Sequence, residues 1–209
     1  AAYTYDGEGR RLRAVEDTVT TDLLNDGFNV LLERDAAGQT LARHTWGLSL
    51  GGGIGGLLSR RQGSTDMFYH YDGRGDVVAL TNGTGTLLQT STYDAFGNLL
   101  DQTGSIQQPY QFSTKAVSSV SGLVHFGARD YDPATGRFIA PDPLGFVDGP
   151  NLYTYVKNNP ASFIDPFGFD ATTRKLRPLD TIPEVSVSVT ASLLKLLSQL
   201  EMWEKSPLV

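Results

Sequence analysis

Tyr69-His70-Tyr71-Asp72-Gly73-Arg74-Gly75 decides the fold, because the chain writes it more than once. Tyr3-Thr4-Tyr5-Asp6-Gly7-Glu8-Gly9 comes before it, and Thr92-Tyr93-Asp94-Ala95-Phe96-Gly97-Asn98-Leu99-Leu100 comes after it. A weaker copy, Asn25-Asp26-Gly27-Phe28-Asn29-Val30-Leu31, has lost the tyrosine. From Tyr71 to Tyr93 is 22 residues and from Tyr5 to Asn25 is 20, so each unit is one hairpin long. Asp-Gly and Asp-x-x-Gly make tight turns, because Gly accepts positive φ and Asp bonds its own backbone. Short β-favouring runs follow the turns at Asn29 to Leu32, Asp76 to Leu80 and Thr86 to Leu88. Further turns stand at Asp35-Ala36-Ala37-Gly38 and Asn82-Gly83-Thr84-Gly85. Strand, turn, strand, turn at this spacing predicts a mainly β fold of consecutive antiparallel hairpins.

Composition narrows the function. The 209 residues are 40% hydrophobic and 19% charged, which suits a folded core rather than disorder. With 17 basic against 23 acidic residues the net charge is −6, so there is no electrostatic footprint for nucleic acid or an anionic membrane. No apolar run approaches the roughly 20 residues of a membrane span. Without cysteine there are no disulfides, thiolate metal sites or thiol nucleophiles. Three scattered histidines, His44, His70 and His125, make a poor metal cage, so neither metal nor cofactor is expected. Ala1-Ala2-Tyr3 carries neither an initiator Met nor a charged-then-apolar leader, and the N-terminus is read as cut from something longer.

Leu48-Ser49-Leu50-Gly51-Gly52-Gly53-Ile54-Gly55-Gly56-Leu57-Leu58 lies between copies. Gly51, Gly53 and Gly56 fit G-x-G-x-x-G, but Ser59-Arg60-Arg61-Gln62-Gly63 opens no helix, as a dinucleotide site would require. The segment is read as a flexible loop between hairpins.

The pattern tightens from Gln108. Gly122-Leu123-Val124-His125-Phe126-Gly127-Ala128-Arg129-Asp130-Tyr131-Asp132-Pro133 leads into Thr135-Gly136-Arg137-Phe138-Ile139-Ala140-Pro141-Asp142-Pro143-Leu144-Gly145. Asn151-Leu152-Tyr153-Thr154-Tyr155, Asn158-Asn159-Pro160 and Asp165-Pro166-Phe167-Gly168 follow. This run resembles the Rhs repeat-associated core of Rhs and YD-repeat proteins, a family that includes polymorphic toxins and the C components of insecticidal toxin complexes. The resemblance covers about residues 1–169. It implies hairpin repeats over 1–107 forming part of a spiralling β-shell, a core over 108–169 that plugs the shell, and a variable tail over 170–209.

The resemblance also implies one self-cleavage, of the Phe169–Asp170 bond, by an aspartyl-protease-like site that frees a toxin-type segment. The carried-over residues are Asp142 as the catalytic carboxylate, Arg129 as its charged partner and Asp165 as the second acid, with Asp148 the alternative. Gly145, Gly168, Pro143, Pro166, Asn151 and Tyr153 belong to the same motif. Such a chain turns over once at most. The partner implied is the missing N-terminal part of the shell, with carbohydrate or a delivery or immunity protein beside it. The setting implied is secreted or at the cell surface. The competing reading is a core that folds but does not cut, a structural, interaction or carbohydrate-binding module.

The chemistry is coherent from the residues themselves. Amide hydrolysis by carboxylates needs one ionised group to activate water and one protonated group to donate to the carbonyl. Two carboxylates held close share a proton, and an arginine keeps one of them ionised and oriented. Asp142 and Asp165 each precede a proline, which stiffens the loop, and Gly145 and Gly168 permit the return. Taken singly, each Asp-Pro-x-Gly is a turn, and Arg129 is equally readable as a structural arginine. Asp130 departs from the family's usual aromatic; on a strand it points away from Arg129. His125 is read as structural, and Tyr153 and Tyr155 as alternating residues of a strand.

In the tail, Val185, Val187 and Val189 predict a strand. Leu193, Leu196, Leu197, Leu200 and Trp203 predict a short amphipathic helix after a Thr190 or Ser192 cap. That stripe is read as packing on the shell rather than entering a membrane. Forty residues with neither Cys nor His are too few for most toxin enzymes, which points to a degenerate or truncated tail over an effector. Too few hairpins are present to close a shell, so a long sheet edge and an apolar inner face are expected to be exposed.

Overall fold

A computed structural model describes residues 1–173, within one compact unit spanning Ala1–Arg174. The strand and helix expected in the tail lie outside the described residues. A ten-stranded antiparallel meander runs in sequence order: β1 (Ala2–Tyr5), β2 (Arg11–Glu16), β3 (Val19–Asp26), β4 (Asn29–Arg34), β5 (Thr40–Trp46), β6 (Leu57–Gln62), β7 (Thr65–Tyr71), β8 (Val77–Thr81), β9 (Leu87–Tyr93) and β10 (Leu99–Thr103). The hairpin reading of the repeats is what the chain adopts.

One turn design recurs. In the turns opening at Asp6, Asp35, Asp72, Asn82 and Asp94, the side-chain Oδ1 accepts from the N–H groups two and four residues on. The glycine N–H at the fourth position closes back on the Asp or Asn carbonyl. That glycine sits at φ +79° to +88° in these five turns, the left-handed region in which a side chain is strained. The pairing register slips beside each of these turns, as between His70 and Tyr71 or Leu80 and Thr81. Such bulges increase the local twist, so turn and bend are written together.

Strand direction alternates, so the connections after β1, β3, β5, β7 and β9 share one end of the sheet. The later segment grips this end. Arg11 faces Asp130 at 3.6 Å, and the Phe28 and Phe167 rings lie 5.1 Å apart. Lys115 Nζ donates to Gly52 O at 2.6 Å, Thr114 Oγ1 to Gly75 O at 2.7 Å and Tyr131 Oη to Phe96 O at 2.7 Å. The segment itself carries a four-stranded sheet, β11 (Ala116–Val117), β12 (Val124–His125), β13 (Asp130–Asp132) and β14 (Arg137–Phe138), and a last pair, β15 (Phe163–Ile164) with β16 (Thr172–Thr173).

Its centre is aromatic. Phe112, Phe126, Tyr131, Phe138 and Tyr155 are all buried, with ring centroids 4.6 to 6.4 Å apart and mostly edge-on. Burial of such rings, with added quadrupole preference, stabilises a segment that has little regular structure. A second cluster, Leu57, Met67, Tyr69, Val77 and Leu80, lies on the sheet under Tyr110.

Three expectations are corrected. The glycine-rich connection from β5 to β6 is packed rather than flexible: Ile54 is fully buried, and a Cβ on Gly52 would stand 1.9 Å from Pro166 O. Tyr153 and Tyr155 do not lie on a sheet strand; a single bridge, Arg137 to Thr154, marks that stretch. The apolar sheet face at Leu57, Met67, Val77 and Leu80 is covered by Tyr110 and Ile106 instead of lying open. The last strand, β10, is exposed along its whole length.

Candidate active site

Asp142 and Asp165 open variants of the repeat turn, Asp142 with the bond two residues on and the glycine closure, Asp165 with its glycine N–H turned to the side-chain oxygen. Asp142 Oδ1 accepts from Leu144 N at 2.8 Å, and Gly145 N closes on Asp142 O at 3.0 Å. Asp165 Oδ1 accepts from Phe167 N, Gly168 N and Phe169 N at 3.2, 2.7 and 3.1 Å. Gly145 and Gly168 take φ +74° and +75°, as the return requires, and Pro143 and Pro166 follow the acids. The difference from three of the sheet turns is in the second oxygen. Asp6 Oδ2 is taken by Arg10, Asp72 Oδ2 by Arg74 and Asp94 Oδ2 by Asn98, all within their own turns. The corresponding positions after Asp142 are Leu144 and Phe146, and after Asp165 they are Phe167 and Phe169. Apolar neighbours leave both Oδ2 atoms without a local partner.

Arg129 takes both. Its Nη2 lies 3.0 Å from Asp142 Oδ2 and 3.4 Å from Asp165 Oδ2, and all three side chains are buried. The guanidinium lies over the Phe138 ring at 3.7 Å. Its Nε donates to Gly168 O at 2.7 Å, Nη1 to Leu152 O at 3.2 Å and Nη2 to Phe169 O at 3.1 Å. The carbonyl of the Phe169–Asp170 bond therefore meets two carboxylates on one cation.

The chain around that bond is held on both sides. Four successive carbonyls each have a donor: Pro166 O from Lys115 Nζ, Phe167 O from Ala128 N, and Gly168 O and Phe169 O from Arg129. Downstream, Ala171 N donates to Asp148 Oδ2 at 2.5 Å, and β16 pairs with β15. Burial pushes the Asp165 carboxyl up to about 6, against the pull of Arg129 and of the three backbone N–H groups.

The remaining candidates sort by contact. Asp148 faces Ala171 and Lys157 and has no contact with Arg129 among those described. Asn151 Oδ1 accepts from Tyr153 N in the return between the two acid turns. Tyr153 is half exposed, and its carbonyl accepts from Phe138 N. Asp130 pairs with His125 Nδ1 at 2.8 Å and with Arg11, leaving Arg129 to the other acids. Sequence reasoning missed Lys115 and the Gly52 loop; a single lysine amid Phe112-Ser113-Thr114 and Ala116-Val117 was the one available signal. Among the described residues, no three His, Asp or Glu side chains gather as metal ligands.

Meander, aromatic closing segment and Asp-x-x-Gly turns define a chain of YD hairpins with an Rhs-type end. The sequence profile described as the Teneurin YD-shell matches residues 53–161, and the chain belongs to the Rhs/YD-repeat family. The chain is 34% identical over 177 residues to the tRNA3(Ser)-specific nuclease WapA of Bacillus spizizenii, a match covering 80% of this chain and 7% of that protein. It is 33% identical over 109 residues to toxin subunit YenC1 of Yersinia entomophaga, covering 49% of this chain and 11% of that subunit. Among solved structures, TcdB2-TccC3-TEV aligns with a TM-score of 0.63 at 21% identity, over 80% of this chain and 9% of that one. The match thus spans a small part of each relative's length.

Proposed function

We propose that this chain is the closing portion of an Rhs/YD-shell protein and that it cuts itself once, between Phe169 and Asp170. One observation carries the reading: Arg129 Nη2 reaches the Phe169 carbonyl oxygen, Asp142 and Asp165 together. In this reading Asp142, ion-paired to Arg129, takes a proton from water as the water oxygen attacks the Phe169 carbonyl carbon. Asp165, whose burial favours the protonated form, gives its proton to the carbonyl oxygen, and Arg129 stabilises the charge developing there. On collapse the C–N bond breaks, the Asp170 nitrogen takes the proton from Asp142, and the hydroxyl proton returns to Asp165. Phe169 is left as a carboxylic acid whose proton passes to the new Asp170 amine, giving a carboxylate and an ammonium. Holding the bond in cis removes the need to bind it.

Residues 1–107 are the hairpin part, 108–169 the plug and 170–209 the segment freed. The relatives' descriptions as toxin subunits and nucleases support a place in a larger secreted or cell-surface assembly, with the rest of the β-shell as the first partner. A delivery or immunity protein is a second. The rival reading is a scaffold that never cuts, with carbohydrate as a candidate ligand. It draws on the same arginine, whose bonds to Leu152, Gly168 and Phe169 carbonyls also suit a structural lock.

Intact mass of freshly made chain beside Asp142→Asn separates the two. Asn keeps the turn, as Asn82 does in its own. Fragments of 169 and 40 residues from the parent, and an intact mutant, are expected. A folded parent that stays whole leaves the scaffold reading.

A further inference from the structure

Lys115 is a buried cation with a specific attachment. Its Nζ donates to Gly52 O at 2.6 Å and to Pro166 O at 2.7 Å, and it stands 5.7 Å from the centre of the Phe126 ring. Gly52 belongs to the β5–β6 loop of the sheet, and Pro166 is the second residue of the turn that carries Asp165. The two backbones meet so closely that a side chain on Gly52, at φ +54°, would strike the Pro166 carbonyl. An ammonium is costly to bury and is kept where its donors are used. Here it joins two segments more than a hundred positions apart, and one of them bears a candidate acid.

We propose that Lys115 is a positioning residue of the cutting site, fastening the glycine-rich loop of the sheet to the Asp165 turn so that docking of the closing segment on the sheet completes the site. The inference rests on the self-cleavage reading for its consequence, but the fastening itself is testable without any cut. Released from Lys115, the Pro166 carbonyl has no donor, and the Asp165 turn loses its hold on the sheet side. Ala128 N and Arg129 then hold it from the closing segment alone. The charges facing Asp165 are Arg129, Asp142 on the same guanidinium nitrogen, and Lys115, with the Tyr155 hydroxyl beside them, and Lys115 in turn faces Asp165 and His125. Removing the ammonium therefore moves the Asp165 titration upward as well as loosening the turn.

The experiment uses the full 209-residue chain in an Asp142→Asn background, where no cut is expected, with and without Lys115→Met. Carboxyl carbon NMR follows Asp165, and circular dichroism checks the fold. A rise of the Asp165 midpoint by about half a unit to one unit is expected, from loss of a nearby cation. In the Asp142 parent, Lys115→Met is expected to slow self-cleavage at least about tenfold, the scale on which misplacement costs catalysis. A folded Lys115→Met chain with an unmoved midpoint and an unchanged rate overturns the proposal. A raised midpoint in a chain whose parent never cuts keeps the fastening and removes the self-cleavage reading. If Lys115→Met loses the fold, Gly52→Ala keeps the ammonium and displaces the loop from Pro166. The same midpoint and rate are then read, and no change in either overturns the proposal.

Discussion

At Arg129, one side chain serves five acceptors, and its removal exposes what they require. Arg129→Met leaves Asp142 and Asp165 buried without the ion-pair partner they share, a situation that costs about 3–5 kcal/mol. Urea melts are expected to show a loss of that size, together with no detectable cut. Asp165 brings a pH dependence with a definite sign. Its folded carboxyl is raised from 3.8 to about 6, so the folded chain keeps a proton that the unfolded chain has released between those values. Its contribution is fully favourable below about pH 3.8 and is lost as pH rises through about 6; the shift corresponds to about 3 kcal/mol. Asp165→Asn is therefore expected to gain on the parent by up to about that amount between pH 4 and pH 7.5 in paired urea melts. The proposed acid role runs the same way: the cut slows as pH climbs past about 6. A rate that rises through that window would take the acid's part away from Asp165.

At the scale of the element, the repeat turn is the unit of prediction. Asp94→Asn preserves the acceptor that Phe96 N and Asn98 N use but loses the charged Oδ2 to which Asn98 Nδ2 donates, and is expected to cost about 0.5–1 kcal/mol. Asp94→Ala removes it and is expected to cost about 1–2 kcal/mol, read as a shift in urea midpoint at constant slope. Gly97→Ala should cost more, since a Cβ there meets the Phe112 ring at 2.5 Å and φ is +88°. These turns were legible from sequence because Asp, Gly and their spacing act over five residues. The acid turns were legible for the same reason, and Asp142 and Asp165 needed only the arginine to join them. What the sequence hid was long-range. Residues 48–58 read as flexible because the contact that packs Gly51 and Gly52, against Pro166, lies far along the chain. Lys115 gave only its isolation among apolar and hydroxyl residues as a signal, because a buried lysine has no periodicity and its acceptors are backbone carbonyls, which every residue possesses.

For the molecule as a whole, the sheet ends in strands with open hydrogen-bonding edges, and β10 is exposed throughout. An uncovered edge pairs with other chains. Concentration-dependent association in sedimentation velocity is expected, weakened by Leu100→Lys on that edge; a monomer at all concentrations would show that the edge is blunted without a neighbour. The sheet and the closing segment share one compact unit because five same-end turns are each gripped from the later segment. The bond between Phe169 and Asp170 sits inside that grip. Foreign proteases work on exposed, pliable chain that can be drawn out into an extended strand. With the carbonyls of residues 166–169 engaged, Ala171 tied to Asp148 and β16 paired, this stretch offers no such handle. Immunity to digestion from outside and the proposed attack from within then have the same origin, and limited trypsinolysis or elastase treatment should nick other loops well before this one.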